Sequence, residues 1–153
     1  MAKPASSVPY ASATSGAAAR EEITNLLRRF KCESVGFMDD FSAHTVLLQF
    51  THRGRPVQIK ASAQGWAALY LRHNPWTPRH GSTRPQYEAA ALRQGLIAIN
   101  SILRDCVKGQ ITAVECGMLQ FEAVFMPHML LADGRPLIEV VQERNLLPAP
   151  REG

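Results

Sequence analysis

The stretch TVLLQFTHRGRPVQIKA, residues 45–61, decides the fold. Its apolar residues recur at every second position: Val46, Leu48 and Phe50 before the Arg53-Gly54 pair, then Val57, Ile59 and Ala61 after it. A period of two belongs to a pleated strand with one buried face, and Arg-Gly between two such runs reads as a tight turn. The opposite face carries Thr45, Gln49 and Thr51, then Gln58 and Lys60, with Leu47 as the exception. One side of the sheet is therefore expected to be wet or covered by a partner. Upstream, Val35 and Phe37 begin the same alternation, and Asp39-Asp40-Phe41-Ser42 reads as a turn. The expectation is a three-stranded antiparallel meander.

On both sides of the meander the period changes. Ile23, Leu26, Leu27 and Phe30 take helical spacing, so residues 17–31 are expected as an amphipathic helix capped by Thr14 or Ser15. Residues 63–73 form a second, with Trp66, Leu69 and Tyr70 on one face, ended by Asn74-Pro75. Thr83-Arg84-Pro85-Gln86 fits a capping box with proline in the first turn. From there Leu92, Leu96, Ile99, Leu103, Val107, Ile111 and Val114 make one stripe on a helix of about thirty residues, roughly 45 Å long. Gly109 is a place for it to bend, and Gly117 a place to stop. Residues 118–126 read as a short helix, Leu130-Leu131 as a short strand, and Pro136 to about Asn145 as a last helix. Strands segregated from helices define an α+β domain, with the meander packed against several helices including one long one. At 153 residues one domain is expected. It spans residues 17–147, behind a flexible Ala/Ser/Pro-rich arm at 1–16 and ahead of a tail at 148–153.

Composition excludes several classes. Hydrophobic residues make up 46% and charged residues 20%, as in ordinary globular proteins rather than disordered or collagen-like ones. No apolar run reaches the ~18 residues of a membrane helix, and the first eighteen residues lack a signal-peptide core. Cys32, Cys106 and Cys116 are odd in number and widely spaced, which argues for buried free thiols in a reducing cytoplasm. There is no C-x-x-C, G-x-S-x-G or phosphate-binding glycine loop. No catalytic residue, metal ion or cofactor is expected. Asp39, Asp40 and Glu115 suit a metal-dependent nuclease only as a distant alternative, with turn and surface roles the plainer reading. Glu115 with Glu122 as an acid/base pair is weighed in the same way.

The informative feature is charge. Residues 52–93 carry Arg53, Arg55, Lys60, Arg72, Arg79, Arg84 and Arg93 against Glu88 alone, within a chain of net charge +4. Trp66, Tyr70, Trp76 and Tyr87 are interleaved with them. Cations hold a phosphate backbone and flat rings stack on bases, so cations beside aromatics describe a path for single-stranded nucleic acid. The candidate contacts are Arg53, Arg55, Lys60, Arg72, Arg79 and Arg84 to phosphate, with Trp66 and Trp76 as stacking faces. The competing reading is a solubilising basic surface over aromatics that belong to the core.

The stretches RGRPVQIKASAQGWAALYL (53–71), SILRDCVKGQITAVECGMLQFEAVFMP (101–127) and DGRPLIEVV (133–141) resemble a group of small proteins of bacteriophage and prophage genomes. The resemblance covers residues 30–145. It carries no assigned activity and transfers no site residue. It implies a phage setting, the cytoplasm of an infected or lysogenic bacterial host, where small basic proteins handle DNA or RNA or block host enzymes and defences. Two functions follow as expectations: a non-enzymatic nucleic-acid binder, or a module that inhibits a host or defence protein. The long apolar stripe fits a homo-oligomer as well as packing within one chain.

Overall fold

A computed structural model describes residues 8–153. It has the expected α+β architecture. The order is α1 (Gly16–Arg29), β1 (Ser34–Asp40), β2 (Thr45–His52), β3 (Arg55–Ser62), α2 (Ala63–His73), a 3₁₀ turn at Pro78–His80, α3 (Arg84–Glu115), α4 (Phe121–Phe125), a second 3₁₀ turn at Met126–His128, and α5 (Leu137–Glu143). No helix is long and apolar enough to cross a membrane among the described residues.

The sheet is the meander β1-β2-β3. Its register runs Val35↔Phe50↔Val57 and Phe37↔Leu48↔Ile59 on one face. That face is buried, with Val46, Leu48, Phe50 and Val57 fully inside. The opposite rows, Met38–Leu47–Lys60 and Gly36–Gln49–Gln58, face away from the helices, as the polar residues of β2 and β3 require. Arg53 and Gly54 both sit at positive φ (51° and 76°), the pair of left-handed residues that closes a two-residue hairpin in step with strand twist.

α3 is the spine, and it runs unbroken through Gly95 and Gly109. α1 lies along its C-terminal half, tied by Glu22 to Arg104 and Lys108 and by Arg29 to Glu115. α2 lies against its N-terminal half in the opposite sense. The approach there is so close that a Cβ at Gly95 would lie 2.9 Å from the Ala63 carbonyl oxygen. The apolar stripe of α3 is thereby covered within one chain: Ile99, Leu103, Val107 and Ile111 are buried against α1, α2 and the sheet. Leu92, Leu96 and Val114 are partly buried against the same core, so packing within one chain accounts for the stripe. Phe125 of α4 closes the core edge-on against Phe50, ring centroids 5.5 Å apart.

Two further expectations change. The arm expected at 1–16 is held from Val8 onward, while residues 1–7 lie outside the described part of the chain. Val8 is buried, the Trp66 indole N–H donates to the Pro9 carbonyl, Gln94 donates to the carbonyls of Tyr10 and Ala13, and the Tyr10 hydroxyl donates to Asp105. Low charge there marks a strap over α2 and α3. Cys106 and Cys116 are exposed rather than buried, because both fall off the α3 stripe. Cys32 is half-buried, and burial with the nearby Glu33 charge pushes its thiol up to about 11.

Candidate nucleic-acid interface

The basic stretch crosses the molecule. Arg53 and Arg55 stand at the β2–β3 hairpin tip, beside the C-terminal ends of α1 and α3. There the Gly54 N–H donates to Glu33 and Arg55 pairs with Glu122 at 3.4 Å. Eight residues of β3 and eleven of α2 then carry the chain to the other end of α3. Thirty-two residues of α3 separate the two ends, about 45 Å at 1.5 Å per residue. The six candidate cations therefore do not form one patch. Lys60 belongs to neither group: it projects from the open sheet face, in the row of Leu47 and Met38.

Arg72, Arg79 and Arg84 belong to one corner of the backbone, because the chain from 74 to 87 folds back on itself. The Tyr87 hydroxyl donates to the Asn74 carbonyl at 2.7 Å, bringing the start of α3 to the end of α2. The Trp76 indole N–H donates to the Ser82 carbonyl at 2.9 Å. The Thr77 N–H donates to His80 Nδ1, and the His80 ring packs on Tyr87 with centroids 4.6 Å apart. Gly81 turns the chain at φ 70°, and Thr83 with Gln86 completes the capping box read from the sequence. Arg72, His73, Arg79 and His80 are exposed around this corner. Arg84 is exposed too, but its Nε donates to Glu88 at 2.9 Å, one helical turn on. Among the described residues Arg53, Lys60, Arg72 and Arg79 enter no ion pair.

The aromatics divide as well. Trp66 is a correction to the expected site. It is 6% exposed, stacked on Tyr70 at 5.4 Å, with its N–H bonded to Pro9, so no base can reach its face. Its helical spacing put it on the core stripe of α2, and that signal outweighs its neighbours in sequence. Trp76 is half-buried, with part of its ring at the surface of the basic corner.

The acids proposed for other chemistry are separated. Asp39 takes both Nη groups of Arg20, which hold its carboxyl below the usual carboxylate range. Asp40 accepts from the Ala43 and Ser42 backbone N–H groups and the Ser42 hydroxyl, which lower its carboxyl also. Glu115 meets Arg29, nine residues along α1 from Arg20, about 13 Å away along that helix. The nuclease set Asp39, Asp40 and Glu115 therefore does not assemble, and Glu115 and Glu122 face different arginines. No group of three His, Cys, Asp or Glu side chains is arranged to hold a metal ion among the described residues.

Sequence reasoning missed the surroundings of Arg20. Its Nε donates to Asn100 at 2.8 Å and its guanidinium lies 5.1 Å over the Phe37 ring. Asn100 is a buried amide on α3. A cleft of about 480 Å³ opens there between α1, α3 and the β1–β2 turn. An arginine eighty positions from its asparagine gives no local signal.

Comparison with known proteins finds no match: no family model, no curated protein and no solved structure corresponds to this chain.

Proposed function

We propose that this is a non-enzymatic, phage-type accessory protein that binds single-stranded nucleic acid through the α2–α3 corner. The observation that supports the reading is that exposed Arg72, Arg79 and Arg84 and the half-buried Trp76 all stand on the corner that the Tyr87–Asn74 and Trp76–Ser82 hydrogen bonds close. Guanidinium groups fork onto phosphate oxygens, and the accessible part of the Trp76 ring would accept a base. Arg53, Arg55, Lys60 and Trp66 leave the proposed footprint.

Three phosphate contacts imply a shallow salt dependence. With about 0.7 counterions released per neutralised phosphate of a single strand, log affinity should fall with log salt at a slope near −2. Fluorescence anisotropy of a labelled oligonucleotide across a salt series measures it. The double variant Arg72→Ala/Arg79→Ala should bring the slope to about −0.7. No binding at low salt, or the same slope in that variant, overturns the reading.

A second reading has its own observation. Met118 (72% exposed), Leu119 and Met126 stand uncovered on either side of α4. An apolar surface of that kind suits docking on a host or defence protein. A complex that survives nuclease treatment and is lost in Met118→Asp, with Arg72→Ala/Arg79→Ala unaffected, favours it over the first.

A further inference from the structure

We propose that the cavity between the strap and the α2–α3 corner takes one nucleobase, a flat uncharged ring with donors and acceptors along its edge. The inference rests on the corner reading for the strand that delivers the base.

The cavity measures about 490 Å³, within the range of small-molecule sites. The chain has three tyrosines, and all three line it: Tyr10 from the strap, Tyr70 from α2 and Tyr87 from α3. No residue of the lining carries a charged side chain. The hydrogen bond to Asp105 raises the Tyr10 hydroxyl above the usual 10, and burial beside Tyr70 raises that of Tyr87, so the lining stays neutral. A phosphate or carboxylate would find no counter-charge inside. A neutral aromatic group finds rings to pack on, with the Gln94 amide, the Ser12 hydroxyl and the phenols for its polar edge.

Two features give the cavity its shape. On α3, Tyr87, Ala90, Ala91 and Gln94 fall at i, i+3, i+4 and i+7, one face of the helix, and the two alanines leave space that longer side chains would fill. On the other side the strap is pinned twice. The Pro9 carbonyl accepts from Trp66 at 3.0 Å and the Ala13 carbonyl from Gln94 at 2.8 Å. Between these anchors Tyr10 takes φ 68°, a left-handed conformation rare for a large side chain, and its hydroxyl is held by Asp105 at 2.5 Å. Strained residues of this kind gather at ligand clamps.

The cavity shares its walls with the corner, which favours a base of a strand over other flat neutral molecules. Tyr87 lines the cavity, closes the corner through its hydroxyl on the Asn74 carbonyl, and packs its ring on His80. Tyr70 lines the cavity too, and its carbonyl accepts from the Asn74 backbone N–H at 2.8 Å and from the Asn74 amide at 3.1 Å. Arg84 stands three positions before Tyr87, one helical turn away. A phosphate on the corner and a base in the cavity therefore meet neighbouring groups.

Fluorine NMR of protein labelled with fluorotyrosine tests this, because its three reporters all stand on the cavity. Single Tyr→Phe variants assign the resonances. A single-stranded oligonucleotide should move those of Tyr10 and Tyr70, and an abasic strand of the same length should leave both in place. Ala90 is exposed, so Ala90→Trp can fill the space with an indole without disturbing the core, which circular dichroism verifies. That variant should bind the oligonucleotide about tenfold more weakly in anisotropy, at an unchanged salt slope. An oligonucleotide that binds but moves neither Tyr10 nor Tyr70, or moves Tyr87 alone, overturns the inference and leaves the corner standing. So does Ala90→Trp binding as tightly as wild type. If no strand binds, the corner reading falls and free adenosine and uridine decide the cavity. Movement of the Tyr10 and Tyr70 resonances then supports a nucleobase site supplied by free nucleoside, and no movement overturns it.

Discussion

Two glycines inside α3 give a controlled comparison. Glycine in a helix interior costs about 1 kcal/mol relative to alanine, so Gly95→Ala and Gly109→Ala start from the same gain. At Gly109 a new methyl meets nothing within 4 Å, and the full gain of up to ~1 kcal/mol should be realised. At Gly95 the methyl would sit 2.9 Å from the Ala63 carbonyl oxygen, and 3.4 Å from both the Ala63 Cβ and the Trp66 ring. The first is a backbone atom and cannot swing aside, so α2 must shift. Overpacking of this kind costs about 1–3 kcal/mol, which leaves Gly95→Ala destabilised by roughly 0–2 kcal/mol after the helical gain. The propensity term cancels in the difference between the variants, so their stabilities should differ by about 1–3 kcal/mol. For a domain of this size each kcal/mol moves Tm by about 2–4 °C. Urea and thermal unfolding of both variants read the difference. Gly95→Ala as stable as Gly109→Ala would refute the close α2–α3 contact at Ala63.

Stability should fall on acidification from neutral pH. Burial lowers the pKa of His52 and His128 below the ordinary 6.5, so the unfolded chain binds more protons in that range and the loss begins as pH falls through about 6.5. Asp39, lowered by Arg20, adds a second loss near the bottom of the carboxylate range. His128→Gln should flatten the upper part of the curve in denaturant titrations at fixed pH steps, and an unchanged curve would remove His128 from the account. Thiol labelling at neutral pH should modify the exposed Cys106 and Cys116 quickly and Cys32 at least tenfold more slowly, because its pKa of about 11 leaves little thiolate. Equal rates at all three positions would contradict the burial of Cys32.

The fold was legible wherever one face of an element is dry. Val46, Leu48, Phe50, Val57 and Ile59 announce the meander because a strand with one buried side must alternate. The capping box at Thr83 announced the start of α3 to the residue, since its partners lie three positions apart. What stayed hidden depends on contacts far apart in the chain. Nothing near Tyr10 marks Asp105 as its partner, and nothing near Arg20 marks Asn100. The strap at residues 8–15 reads as an arm because several of its anchors are backbone carbonyls, which every sequence has. At the candidate site the helical spacing of Trp66 with Leu69 and Tyr70 already carried a core signal. The density of nearby arginines competed with it, and the core reading prevailed because an indole on the inner face of a packed helix is removed from water.

The division of the basic stretch follows from its own secondary structure. A strand and a helix in series carry charge across a domain rather than gathering it. β3 advances about 26 Å at 3.3 Å per residue and α2 about 16 Å at 1.5 Å per residue, and cations at the start, middle and end of such a path meet different surroundings. Only a reversal of direction brings them together, and beyond the Arg53-Gly54 hairpin the chain next reverses through Asn74-Pro75-Trp76-Thr77-Pro78. The corner is where charge and an aromatic ring share a surface because it is where the backbone folds back on itself. On the proposed reading, a single corner would hold few phosphates and so would bind weakly, with little selectivity between strands.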